Sequence, residues 1–236
     1  KDNKHLLNFF NSMNELVLKM LSALMIIAPL GIFCLISKTF ATQGLSSILE
    51  LLKYFLGVVL IIFTHFLIVY IPLVWFLGKV NIKTFVNGIK QIVLFAFSTS
   101  SSSATIPVTL QNLNKNFNVK SKISSFTVPL GATINMDGTA IMQGMATIFI
   151  ANIYNIDLLF SDYLSIILTA TLASVGTAGV PGVGIIMLGM VLNQVGLPLE
   201  GIAIVIGVDR LLDMLRTSLN VSGDAMVTLV VNKSEK

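Results

Sequence analysis

Five polar residues recur through an apolar C-terminal stretch: Asp209, Asp213, Arg216, Asn220 and Asp224, spaced by 4, 3, 4 and 4. At about 100° per residue they fall on one stripe of a helix, with Thr217 at its edge. Ionisable groups inside a membrane segment are costly and face a bundle interior or a wet cavity. Asp209, Asp213 and Arg216 alone could form a ladder that ties the helix to itself, but Asn220 and Asp224 continue the stripe beyond it, which favours a binding face. The planar donors of Arg216 suit a carboxylate, and Asp213 offers an acceptor for an ammonium one turn away. Together they ask for a zwitterion with an extra carboxylate, an acidic amino acid.

A second cluster reads "GATINMDGT" (131–139). Asn135 and Asp137, followed by glycine, predict a helix that unwinds locally and exposes carbonyls. Carbonyls with a carboxylate are hard oxygen ligands, suited to a small hard cation such as Na⁺. The plainer reading is a kink without an ion, which would leave Asp137 as an unpaired buried carboxylate, a costly arrangement unless protonated.

These clusters need elements that hold them at membrane depth. The chain is 55% hydrophobic and 11% charged, against about 25% charged in soluble domains, and its mean hydropathy is +0.88. The formal charge of +4 is too small to be a nucleic-acid footprint. Cys34 is the single cysteine, so an intrachain disulfide is excluded. The first residues show no signal-peptide pattern. Segments 16–36, 51–77, 123–153 and 199–231 are long enough to span. His65, inside the second, is read as a helix-facing polar group with a neighbour rather than as part of the site.

Segments 84–114 and 162–195 instead have two short apolar halves around a polar or glycine-rich middle. Seven of the eight positions from 98 to 105 carry hydroxyls, and the later break reads "GTAGVPGVG". Non-helical backbone at membrane depth survives only when packed in protein or lining a cavity, so these breaks read as tips of two re-entrant helical hairpins. Backbone N–H groups at their half-helix N-termini, with serine hydroxyls, suit an α-carboxylate. "ATIPV" at the first tip matches "AGVPG" at the second, and each hairpin precedes a spanning segment carrying Asn and Asp. Such repeats point to a transporter site at the midplane. Lys79, Lys83, Lys90, Lys115, Lys120 and Lys122 flank the first hairpin; with Lys1, Lys4, Lys233 and Lys236 they place both termini in the cytoplasm. The hairpins then enter from opposite sides.

"SSSSATIPVT", "GATINMDGTA", "GTAGVPGVG" and "DMLRTSLNVSGD" resemble, in order and spacing, the dicarboxylate/amino acid:cation symporters. The resemblance runs from about residue 11 to 232 and is taken as the family's C-terminal two-thirds, since members carry further spanning helices ahead of it. It implies an all-α membrane protein, an inverted-repeat elevator-type transporter. Residues 1–80 would hold two scaffold-type transmembrane helices. Residues 81–236 would form the transport domain: hairpin 84–114, broken helix 122–153, hairpin 162–195 and polar-striped helix 199–232, with both spanning helices broken. It implies that Arg216, assisted by Thr139, binds the substrate side-chain carboxylate and Asp213 the amino group. Asn220 and Ser102, with backbone around Val180 and Gly184, would hold the α-carboxylate. Ser101 stands with Ser102 at the tip, though it and Ser103 mainly satisfy the hairpin's own backbone. Asn135, Asp137 and Asp224 would bind cations with carbonyls of Gly131 and Asn220, and a further site would use backbone near Thr133, Ser174 and Thr177.

Two departures from the family pattern stand out. Members carry an arginine where Ser100 or Met214 stands here; Arg210, one turn before Met214, is expected to replace that charge. Gln143 stands where the animal transporters have a glutamate implicated in proton coupling, which favours sodium, with protons as the alternative or additional ion. The expectation is therefore a sodium-driven glutamate or aspartate symporter of the inner membrane, multi-pass, with lipid around it and a homotrimer where the preceding helices are supplied; it is not an enzyme. Rival readings are a C4-dicarboxylate symporter, an ion channel with the stripe lining its pore, and an intramembrane hydrolase using the serine run.

Overall fold

The computed structural model describes the backbone of residues 4–43 and 46–235, so Lys1 and Lys236 of the charge pattern lie outside it. Ten α-helices occupy the described residues, and no strand occurs among them. α1 runs Lys4–Gln43 and α2 Ser46–His65; a π-helical turn, Phe66–Tyr70, joins α2 to α3, Ile71–Phe76. The stretch Leu49–Phe76, with mean hydropathy 2.5, is long and apolar enough to cross a bilayer.

Two helical hairpins follow. The first pairs α4 (Ile82–Thr99) with α5 (Ser102–Phe117), the second α8 (Phe160–Val175) with α9 (Val183–Gln194). Both lie within a few residues of the segments expected from the sequence. Asn81 starts α4 by accepting from the Lys83 N–H at 2.9 Å. Ser100 ends it in the left-handed region, φ 50°, a conformation that non-glycine residues adopt uncommonly. Ser101 then caps α5 by accepting from the Ala104 N–H. Only two residues of the serine run therefore lie outside helix. Ser98 and Thr99 turn their hydroxyls back onto the Phe95 carbonyl. The second hairpin has a longer break, at 176–182, in which Gly182 takes φ 80°.

Between the hairpins, α6 (Ser121–Ile134) and α7 (Asp137–Ile153) are one helix interrupted at Asn135 and Met136, where the "NMDGT" cluster predicts unwinding. The last helix departs from expectation. The implied second broken helix is instead continuous: a short 3₁₀ turn, Leu199–Gly201, leads into α10, Ile202–Ser234, without interruption. Buried hydroxyls along it are satisfied within the helix. Ser218, Ser222 and Thr228 donate to the carbonyls of Met214, Ser218 and Asp224 four residues back, at 2.7–2.8 Å, and so need no outside partner.

α10 is the axis of the assembly and packs against α4, α6, α7, α1 and α2. Its middle is buried and polar, while large apolar side chains face outward: Leu94 is 69% exposed, Ile186 72% and Phe160 78%. Polar groups inside and bulky apolar groups outside are the arrangement that lipid requires.

Candidate functional site

A cavity of about 440 Å³ between α2, α4 and α10 is almost wholly apolar. The polar residues converge elsewhere, on a narrow crevice at the hairpin tips. Its walls are Ser100, Ser102, Met136, Thr139, Thr177, Ala178, Gly179, Val180, Gly184, Asp213, Thr217 and Asn220. Seven of the expected substrate residues are there: Asp213, Asn220, Thr139, Ser102, Val180, Gly184 and Thr217. The free volume is about 10 Å³, room for about one water molecule.

The two tips close it. Ser101 Oγ donates to the Gly179 carbonyl at 2.7 Å, and the Ser103 N–H donates to the same oxygen at 3.0 Å. Ser101 thus serves both its own hairpin and the opposite one. A Cβ on Gly179 would stand 2.8 Å from Ser103 Oγ and 2.9 Å from the Ala132 carbonyl, so only glycine permits this approach.

Arg216 lies behind the crevice rather than in its wall and is 1% exposed. Its Nη2 donates to Asp213 Oδ1 at 2.9 Å and stands 2.9 Å from Asp209 Oδ1. The self-tying ladder considered from the sequence is therefore present, but it uses one nitrogen. Nε and Nη1 are buried with no hydrogen-bond partner among the described residues. Nη1 faces α9: a Cβ on Gly184 would approach it to 3.1 Å and Thr139 to 3.2 Å. Asp213 also accepts from the Gly182 N–H at 3.2 Å, which ties the second tip to the polar stripe. Arg210 is half-buried and does not line the crevice.

A few ångströms along α10 the oxygen-rich cluster assembles. Asn135 Nδ2 donates to the Asn220 carbonyl at 3.1 Å and to Asp224 Oδ1 at 3.0 Å. Asp224 packs on Gly131, where a Cβ would come within 2.5 Å of its carboxylate. Asn135, Asp224, Asn220 and Gly131 are thus brought together as expected. Asp137 is not the unpaired buried carboxylate of the ion-free reading. It is half-exposed, accepts from Tyr70 Oη at 2.7 Å, and has His65 Nε2 3.1 Å away. His65 has its neighbour after all.

Thr133 is exposed, whereas Ser174 and Thr177 are buried, and each hydroxyl bonds a carbonyl of its own helix or the turn just before it. Of the three, Thr177 alone reaches the crevice. A cation at this further place would need their backbone oxygens, as the resemblance implies.

Sequence reasoning missed Met136, whose Sδ receives Asn220 Nδ2 at 3.2 Å while Asn220 Oδ1 accepts from the Gly138 N–H at 2.8 Å. It also missed Tyr70, which lies in an apolar run that carries no local signal. Gln143 ties α7 to α9 by donating to the Gly184 carbonyl at 3.3 Å.

Comparison with known proteins places this geometry. The chain is 42% identical to an excitatory amino acid transporter 1 of Ambystoma tigrinum over 94% of its length, covering 41% of that protein. It is 40% identical to an excitatory amino acid transporter of Caenorhabditis elegans, covering 94% of the chain and 44% of the relative. Excitatory amino acid transporter 3 of Homo sapiens is 40% identical over 98% of the chain and 44% of its own length. The chain thus spans about two fifths of these relatives, less than the two-thirds expected from the motifs. A family model described as the sodium:dicarboxylate symporter family matches residues 1–234. With that match over nearly its whole length, the chain belongs to the sodium:dicarboxylate symporter family, whose members are membrane transporters.

Proposed function

We propose that the protein is a secondary active symporter that couples sodium entry to uptake of glutamate or aspartate. The observation that carries this reading is the pair of unspent, buried N–H donors on Arg216, already charge-balanced on its other side by Asp209 and Asp213. Buried donors without partners are expensive. A carboxylate entering from the crevice side would accept a charge-assisted hydrogen bond from Nη1, a donor that the described residues leave unpaired. Asp213 beside it favours a ligand that also bears an ammonium, which distinguishes an acidic amino acid from a plain dicarboxylate such as succinate.

Entry requires movement. The crevice holds about one water, and Gly184 of α9 stands against Arg216 Nη1. Displacing α9 outward would break the Gly179 and Gly182 contacts and uncover Nη1, Thr139 and Asp213 together. On this reading the hairpins are re-entrant from opposite faces and act as gates, residues 81–236 move as a transport domain against residues 1–80, and the assembly is a homotrimer. The protein is multi-pass in the inner membrane with its C-terminus cytoplasmic. Ser102, Asn220 and the tip backbone at Val180 would receive the α-carboxylate.

For the cation, Asn135, Asp224 and Asp137 with the carbonyls of Asn220 and Gly131 form an all-oxygen set around one α10 turn. Hard oxygen donors match Na⁺. A sodium ion there would take the place of the Asn135–Asp224 contact as its counter-charge, adjoining Asn220, whose amide borders the crevice. That adjacency couples ion to substrate: ordering Asn220 from one side lowers the cost of ordering it from the other.

Calorimetric titration of the purified protein with aspartate at several sodium concentrations tests this. Affinity should rise steeply with sodium and be lost in potassium. Sodium-independent aspartate affinity would overturn the coupling, and competition by succinate but not glutamate would move the substrate to the C4-dicarboxylates.

A further inference from the structure

Tyr70 belongs to none of the motifs, yet it stands between both acidic residues of the oxygen-rich cluster. It is fully buried at the end of the π-helical turn. Its Oη donates to Asp137 Oδ2 at 2.7 Å, and His65 Nε2 lies 3.1 Å from that same oxygen. On its other side the phenol is wedged against α10. A Cβ on Gly223 would come within 2.5 Å of Tyr70 Oη and would also meet the Asn135 amide, the group that bonds Asp224 Oδ1 at 3.0 Å.

The π turn explains how two residues five apart reach one oxygen. On an α-helix His65 and Tyr70 would point about 140° apart. The wider π turn, with its i→i+5 bonding, closes that angle, and the rings meet edge to face at 5.0 Å. Single π turns of this kind are frequent at functional sites because they re-aim one side chain without ending the helix.

We infer that Tyr70 is a positioning residue of the cation site, holding Asp137 and Asn135 in register from a helix outside the motif-bearing segments. Both hydrogen bonds that the described residues give Asp137 fall on Oδ2. Oδ1 is thereby the oxygen left for an ion. The phenol fixes the carboxylate rotamer at the start of α7 and, through its contact at Gly223, the distance from Asp137 to the Asn135–Asp224 pair. A donor that holds a ligand carboxylate from behind orients it and sets metal affinity without touching the ion. The inference rests on the sodium reading above.

The test is Tyr70→Phe, which keeps the ring and removes the hydroxyl. Two quantities are read on the detergent-purified protein: the sodium midpoint of its thermal stabilisation without substrate, with potassium as control, and the aspartate Kd at saturating sodium. Loss of the oriented donor should raise the sodium midpoint by about tenfold and leave the aspartate Kd at saturating sodium within about twofold of wild type, since that site remains formed. An unchanged sodium midpoint in Tyr70→Phe, alongside loss of the sodium effect in Asp224→Asn, would overturn the role of Tyr70 and leave the sodium site standing. No sodium stabilisation in the wild type would overturn both. Loss of aspartate binding capacity in Tyr70→Phe at every sodium concentration would assign the residue to general structure and overturn the positioning role.

Discussion

The two hairpins share a plan and differ in how they are held. α4 of the first buries Phe85, Ile89, Ile92 and Ala96, and α5 adds Leu113, all in the main core around α10. α8 of the second buries Ile166, Ala170, Ala173 and Ser174; its three apolar members join Val191 in a small separate cluster, and the helix leaves Leu164, Ile167, Leu168 and Leu172 facing out. Their tips differ likewise. The first turns in two residues, with Ser100 in the left-handed region and Ser101 capping; the second spends seven residues, glycine-rich, before α9 starts. The first hairpin is therefore anchored in the main core through both of its helices, whereas the second enters that core through α9 alone, with Ile185, Leu188 and Leu192, and carries α8 on the small separate cluster. Regions with fewer buried apolar contacts open at lower free energy, so α8 and the tip that follows it are expected to open before α4 and α5.

This contrast can be broken or sharpened by substitution. The largest effect is expected at the anchor: Phe85→Ala should destabilise the fold by about 3–5 kcal/mol, whereas Ile166→Ala in the small cluster should cost about 2 kcal/mol. Thermal unfolding in detergent reads both, and equal losses would dissolve the distinction. Next is the latch. Gly179→Ala places a methyl against Ser103 and the Ala132 carbonyl, so closure should weaken and aspartate affinity fall about tenfold, a cost of about 1.4 kcal/mol. Ser101→Ala removes one of the two latch bonds and the α5 cap, worth about 1 kcal/mol; a roughly threefold to fivefold faster aspartate dissociation is expected by stopped flow. Smallest is Lys53→Ala, which breaks the exposed pair with Glu50 (2.6 Å) far from either hairpin. It should shift stability by less than about 0.5 kcal/mol.

Much of this was legible in the sequence because polar residues at membrane depth have few lawful places. The serine and glycine interruptions marked the hairpin tips, "NMDGT" marked the unwound joint, and the 4-3-4-4 spacing marked the buried face of α10. Asn135, Asp224, Asn220 and Gly131 could be grouped only through the family resemblance, whose ligand set they fill. What could not be read was direction across long sequence separations. Nothing near Asp137 announces that its carboxylate turns to Tyr70, 67 residues earlier, or that Asn220 shares its amide with Met136. The unbroken course of α10 was also hidden. The family resemblance implied a break there, but the serine hydroxyls bond four residues back along the same helix and Gly223 makes room for Tyr70.

The latch has a consequence for how such a protein can diverge. Both of its hydrogen bonds end on a single main-chain carbonyl, that of Gly179, and one begins on a main-chain N–H. Point mutation does not remove peptide groups. The contact at Gly179 is thus largely insulated from side-chain changes at Thr139 or Thr217, by which a lineage would retune the crevice. Asp213 is the exception: it lines the crevice and also accepts from the Gly182 N–H, so a change there alters the fastening of the tip together with the pocket.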